Sequence, residues 1–254
     1  MCGYKNTLEQ RYNKINDLKS QIFSSKFGDI EYLMRGEGPI ILISHGISGG
    51  VDQGDLLTSS FFSSNWKFLL ISRFGYLKSS IPENPSALLQ ADAYKLLLDY
   101  LGIKKVFIFA SSAGSTSAIQ FTIKYPQICQ GLILQSPNAP LDHSPGTPPK
   151  FIFKSNFLYW FFLKLFGKRM LYMFAPKSVC KKLSKQEIKN LIEDVFISVL
   201  PVTERTEGFI FDAFVSNPSI NDNVPFEKIK APTLILNAKD DPSTVIEGAR
   251  TLSK

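Results

Sequence analysis

The chain is poor in the residues that staple, ligate or anchor a protein. Its 254 residues include three cysteines, Cys2, Cys129 and Cys180, far apart and without a CxxC pair or a Cys/His cluster. Neither a disulfide framework nor a zinc site is indicated, and reduced thiols are expected. Histidine occurs twice, as His45 and His143. No stretch of about 18 apolar residues marks a membrane span. The N-terminal region carries Lys5, Glu9, Arg11, Lys14, Asp17 and Lys19 and lacks the apolar core of a secretory signal. Position 2 is Cys, not the Gly that N-myristoylation requires. A cytoplasmic protein without metal or cofactor is the expectation. No heptad run or longer internal repeat occurs, so coiled coils and solenoids are excluded. The 16 Gly and 15 Pro follow no period, which excludes collagen-like structure.

What remains is a globular composition, 44% hydrophobic and 20% charged, in a chain long enough to bury a core without covalent staples. The net charge of +7 is uneven. Between Lys150 and Lys189 there are ten basic residues and one acidic residue, Glu187, a net of +9; the rest of the chain is then at 7 − 9 = −2. A nucleic-acid-binding protein is not indicated, because the excess belongs to one segment. That segment also holds ten aromatic residues between Phe151 and Phe174.

Leu8, Tyr12, Ile15, Leu18 and Ile22 recur at helical spacing. Residues 27–35 alternate weakly and end at Gly36-Glu37-Gly38-Pro39, a strand followed by a turn. The apolar run at 40–44 and the largely apolar runs at 67–72 and 105–109 read as strands buried on both faces, and 131–135 and 233–237 as a fourth and a fifth strand. Helices are predicted at 86–101, closed by Gly102, at 113–124, ended before Pro126, and at 244–252. Buried strands alternating with helices imply βαβ units and a mostly parallel sheet, the α/β class. The rhythm stops between the fourth and fifth of these strands. That stretch opens on Pro137, Pro140, Pro145, Pro148 and Pro149 and closes on the turn-rich 216–223. The expected organisation is a core from 1–136, a helical cap insertion at 137–224, and an incomplete second part of the core at 225–254.

Chemistry concentrates in Val106-Phe107-Ile108-Phe109-Ala110-Ser111-Ser112-Ala113-Gly114. A small-x-Ser-x-small turn between a buried strand and a helix forces the serine into a strained backbone conformation. Its hydroxyl then stands above the sheet beside a helix N-terminus. The alternative is a plain strand–helix turn in which Ser111 and Ser112 act as helix N-caps.

On these residues the chain resembles the α/β-hydrolase family over almost its whole length. His45-Gly46 resembles that family's HG oxyanion loop, and Ser72-Arg73-Phe74-Gly75-Tyr76 its R-x-G-Y/F loop. Residues 232–242, ending in Asp240-Asp241-Pro242, resemble the strand and loop that deliver the catalytic acid. HGISGGVDQG, SRFGYL, QADAYKLLLDYLGI and SSAGSTSAIQF together look like a bacterial-type esterase or lipase subgroup.

The resemblance implies Ser112 as nucleophile and Asp241 as acid. It implies an oxyanion hole from the backbone N–H of Ala113 and that of Ile47 or Ser48, each donor worth roughly 3 kcal/mol in such sites. His45 and Gly46 support the loop. For Asp240 and Asp241, turn or helix-cap chemistry is the plainer alternative.

In chain order the family places a histidine after the acid, and here no histidine follows His143. Intact upstream elements favour a sequence that stops before the base, the last strand and the closing helix. A relative that has lost its base is the alternative. His45 and His143 are poor substitutes, both being loop residues.

The implied activity is acyl-enzyme hydrolysis of carboxylic esters of apolar small molecules. Rivals are a non-catalytic binding protein of the same fold and a C–C-bond hydrolase or haloperoxidase relative. The aromatic, basic cap is expected to line an apolar pocket, with peripheral contact to an anionic membrane as a further expectation.

Overall fold

The computed structural model describes residues 2–62, 65–140, 150–242 and 246–253. His143 and most of the Pro-rich entrance to the cap lie outside them. In chain order the elements begin with helix α1 (Cys2–Asp17), strands β1 (Gln21–Ser25), β2 (Gly28–Arg35) and β3 (Ile40–Ser44), and helix α2 (Val51–Phe61). They continue with β4 (Lys67–Ile71), α3 (Ala87–Tyr100), β5 (Val106–Ser111), α4 (Gly114–Lys124) and β6 (Cys129–Gln135). Next come α5 (Asn156–Phe174), α6 (Lys177–Cys180), α7 (Lys185–Val195) and α8 (Thr206–Phe211), then β7 (Thr233–Leu236) and α9 (Ile246–Leu252).

Seven strands form one sheet in the order β1-β2-β4-β3-β5-β6-β7. β1–β2 and β2–β4 pair antiparallel, and the other four pairings are parallel. The apolar runs explain the parallel part. Ile41, Leu42 and Ile43 are at most 1% exposed, covered on both faces, and each such side chain contributes roughly 2 kcal/mol of burial. Ser86 caps α3 by accepting from the Leu89 amide. Gly102, at φ 68°, follows its end in the left-handed conformation that a β-carbon disfavours.

Two expectations are corrected. Ile22 continues no helix: α1 stops at Asp17, and Ile22 pairs with Glu31 in the β1–β2 hairpin. The spacing misled because a residue just past a helix end can fall on its period by chance. The second correction is an omission: α2 carries a polar, Gly-containing sequence, VDQGDLLTSSF, with a weak periodic signal.

Between β6 and β7 the regular elements among the described residues are helices. They form a separate apolar cluster around Phe153, Tyr159, Leu163, Leu200 and Phe209. Ile47, from the loop after β3, packs against this cluster. The loop beside the sheet's C-terminal rim therefore touches the cap.

Candidate functional site

Strand order determines where the chemistry can sit. β3 and β5 are neighbours, with Ser44 opposite Ala110, and the chain leaves them for opposite ends of the sheet. A crevice beyond the carboxyl ends of the strands at such a crossover is where open α/β sheets bind ligands. The two loops that carry the sequence motifs, 45–50 and 111–113, both start there.

Ser112 is at φ 47°, the left-handed region that costs a non-glycine residue about 1–2 kcal/mol. The conformation is held from three sides. The Ser112 amide donates to the Gln135 carbonyl at 3.0 Å, and its carbonyl accepts from the Ser115 amide at 3.0 Å and the Asn138 amide at 3.2 Å. The helix can start this close to β3 only because residue 114 is glycine. A methyl group there would sit 2.3 Å from the Ser44 carbonyl oxygen and 2.5 Å from that of His45. The same proximity brings the loop after β3 to the serine: a methyl group at Gly46 would be 3.5 Å from Ser112 Cβ.

The two alternatives for the loop donor are separated by their partners. The Ser48 amide already donates to the Tyr76 hydroxyl at 3.2 Å, and Ser48 itself is at φ 60°. Among the described residues no acceptor meets the Ile47 or Ala113 amide. Of the three amides, those of Ile47 and Ala113 therefore have no partner among the described residues and that of Ser48 has one.

His45 is fully buried and committed at both nitrogens. The Arg73 amide donates to Nε2 at 3.0 Å, so Nε2 is the bare nitrogen and Nδ1–H donates to the Gly46 carbonyl at 2.7 Å. Burial first, and the neighbouring Arg73 cation second, hold its pKa well below the usual histidine value. It supports the loop and has no lone pair free to act as a base.

The sign of the resulting pH dependence follows directly. A histidine whose folded pKa is depressed takes up its proton mainly on unfolding, so its contribution is complete above the unfolded value near 6.5 and is lost as pH falls below it. Between about pH 6.5 and 5 this residue alone makes unfolding easier by up to about 1.4 kcal/mol per pH unit. Urea midpoints of wild type and His45→Asn across that range check this. The slope should shrink in the variant, and an unchanged slope refutes the assignment.

Two buried ion pairs, which the sequence motifs did not reveal, flank this loop. Arg73 and Asp212, both fully buried, form a bidentate pair. Arg73 also donates from Nε to the His45 carbonyl at 2.9 Å and from Nη2 to that of Gly46 at 3.4 Å. The Tyr76 hydroxyl donates to Asp212. Burial, with Asp212 adding to it, raises the Tyr76 phenol well above its ordinary pKa. On the other side Arg205 holds Asp52 at 2.8 and 3.1 Å and donates to the Gly49 carbonyl. Asp212 and Arg205 both come from the cap. Arg73 and Tyr76 belong to the quoted SRFGYL motif, but nothing in the sequence marked their cap partners.

Asp241 follows β7 and is half-buried. Its carboxylate accepts from the Ser136 hydroxyl at 3.0 Å, and Ser136 comes directly after Gln135, the residue that fixes the Ser112 amide. Asp240 is exposed. His143 lies outside the described residues, and among those residues no group of three or more His, Cys, Asp or Glu could hold a metal ion.

Comparison with known proteins agrees with this architecture. The profile of the alpha/beta hydrolase fold matches residues 39–178, more than half of the chain. An uncharacterized hydrolase, YcgS, of Bacillus subtilis is 32% identical over 109 residues, 43% of this chain and 38% of that protein. A 2-hydroxy-6-oxo-6-phenylhexa-2,4-dienoate hydrolase of Comamonas testosteroni is 30% identical over 115 residues, 42% of this chain and 40% of its own length. The matched part of the chain therefore spans about two fifths of these relatives. Among solved structures, an alpha/beta hydrolase fold protein from Nakamurella multipartita superposes with a TM-score of 0.70 at 20% identity, covering 92% of this chain and 86% of that one. The enol-lactonase of Burkholderia xenovorans superposes with a TM-score of 0.66 at 15% identity, covering 91% and 86%. The strand order, the elbow after β5 and the matched residues lead to one conclusion: the chain belongs to the α/β-hydrolase fold family.

Proposed function

We propose that the chain carries the nucleophile half of a serine hydrolase that acts on carboxylic esters of apolar small molecules. The observation that carries this reading is Ser112 at φ 47°, with the Gly46 loop packed against it and the Ala113 and Ile47 amides meeting no acceptor among the described residues. Strain of that kind persists only where the surroundings impose it.

In this scheme Ser112 Oγ attacks the ester carbonyl and gives its proton to a base. The carbonyl oxygen takes the negative charge and accepts from Ile47 and Ala113. The tetrahedral adduct collapses by expelling the alcohol, which leaves with that proton. Water then releases the acid and restores the serine. Asp241 is the proposed acid that orients the base. His45 does not serve as that base, since both its nitrogens are occupied. The apolar preference rests on Ile47, whose side chain joins the oxyanion loop to the cap's apolar cluster.

A second reading, hydrolytic cleavage of a carbon–carbon bond by the same serine, is favoured by the likeness to the dienoate hydrolase. Substrate profiling with p-nitrophenyl esters against vinylogous diketones separates the two.

Reaction with a fluorophosphonate tests the nucleophile itself. Peptide mapping should find slow labelling confined to Ser112 and none in Ser112→Ala. A folded protein that stays unlabelled is a binding member of the fold, and the catalytic reading is then withdrawn. Ser112→Gly should also abolish labelling while raising stability by about 1 kcal/mol, because glycine accepts positive φ without strain.

A further inference from the structure

Helix α5 is fastened along one side and largely exposed along the other, where Phe157 meets Tyr4 edge-on. Tyr159, Leu163, Gly167 and Leu171 recur every four residues and are buried in the cap. The Tyr159 hydroxyl donates to the Phe196 carbonyl at 3.0 Å, and Gly167 lies against Ile192. The opposite side shows Phe157, Phe161 and Leu165 to solvent at 43%, 47% and 59%. Helical spacing puts these three on one strip, and the Phe157 and Phe161 rings stack on each other. Core packing accounts for the first side and leaves the second unexplained. A contiguous exposed apolar strip of this kind marks an interaction site.

The charges around the strip indicate what it meets. From Lys150 to Gln186 the sequence holds nine lysines and arginines and no carboxylate. Lys164, Lys168 and Arg169 lie on the exposed part of α5 itself, and among the described residues none of the three forms an ion pair. A second copy of the chain facing this surface would set like charge against like charge. Among the described residues no helix is long and apolar enough to cross a membrane. Large aromatic and aliphatic side chains interleaved with cations that have no carboxylate partner among the described residues suit a helix lying in the headgroup layer of a negatively charged bilayer.

We propose that the outward face of α5 docks the protein on the surface of an anionic phospholipid bilayer. Phe157, Phe161 and Leu165 enter the interfacial layer, and Lys164, Lys168 and Arg169 meet the lipid phosphates. This proposal does not depend on the chemistry assigned to Ser112.

Co-sedimentation of the 254-residue protein with vesicles of phosphatidylcholine alone, or of phosphatidylcholine with phosphatidylserine, tests it. Binding is expected to the mixed vesicles and to weaken at high salt. Phe161→Glu/Leu165→Glu and Lys168→Glu/Arg169→Glu should each reduce it on the order of tenfold or more. Both pairs are exposed, and unchanged circular dichroism and melting temperature will show that the variants fold. Absence of binding to the mixed vesicles, equal binding to both compositions, or full binding by either folded variant overturns the proposal. A concentration-dependent dimer that Phe161→Glu/Leu165→Glu dissolves overturns it too, by assigning the face to a second copy.

Discussion

Asp212→Ala should destabilise the protein by about 3–5 kcal/mol, the largest effect expected of a single side chain here. The substitution leaves the Arg73 guanidinium fully buried and without its counter-charge, and stranding one partner of a buried ion pair costs that much. The loss is expected to spread to the oxyanion loop, because Arg73 also holds the His45 and Gly46 carbonyls and Tyr76 holds the Ser48 amide. Urea unfolding at neutral pH measures it. The double variant Arg73→Met/Asp212→Leu provides the control. It removes both charges, so it should recover most of what the single change loses. A single variant within 1 kcal/mol of wild type, on the same scale of buried-charge costs, would show that water reaches the pair.

The second large effect is expected at Gly114. Alanine there must place its methyl group where the Ser44 and His45 carbonyl oxygens already lie, at 2.3 and 2.5 Å. Both obstacles are backbone atoms of β3 and its exit, so no rotamer change relieves them. The helix must move away from the sheet, which costs about 3 kcal/mol in overpacking. The same displacement draws the Ala113 amide away from the Ile47 amide. Gly114→Ala should therefore lose fluorophosphonate labelling even at temperatures where it remains folded. Retention of both stability and labelling would show that strand and helix have slack between them.

Much of this was legible in the sequence because it rests on short-range rules. Strands buried on two faces produce continuous apolar runs, and β3, β4, β5 and β6 were located by them. The turn at Ser112 was visible because its steric demands select small residues at Ala110 and Gly114. What stayed hidden depends on contacts between distant positions. Asp212 is one carboxylate in a helical stretch, and only folding brings it 139 residues back to Arg73. Arg205 and Asp52 are likewise 153 residues apart. The choice between the Ile47 and Ser48 amides turned on a tyrosine hydroxyl from another loop. The β1–β2 hairpin was half missed because Gln21–Ser25 is a short strand with an exposed pattern, and helical spacing claimed one of its two large apolar residues, Ile22.

The two rims of the sheet differ. On the β1 side the rim carries Ser24, whose hydroxyl donates to Asp29, and Ser25, whose hydroxyl donates to the Gly28 carbonyl, beside the exposed Ile22. On the β7 side Leu234 and Leu236 remain 52% and 42% exposed, and among the described residues no strand pairs with the outer side of Thr233–Leu236. That margin behaves like one half of a zipper, ready to accept any extended segment of suitable register.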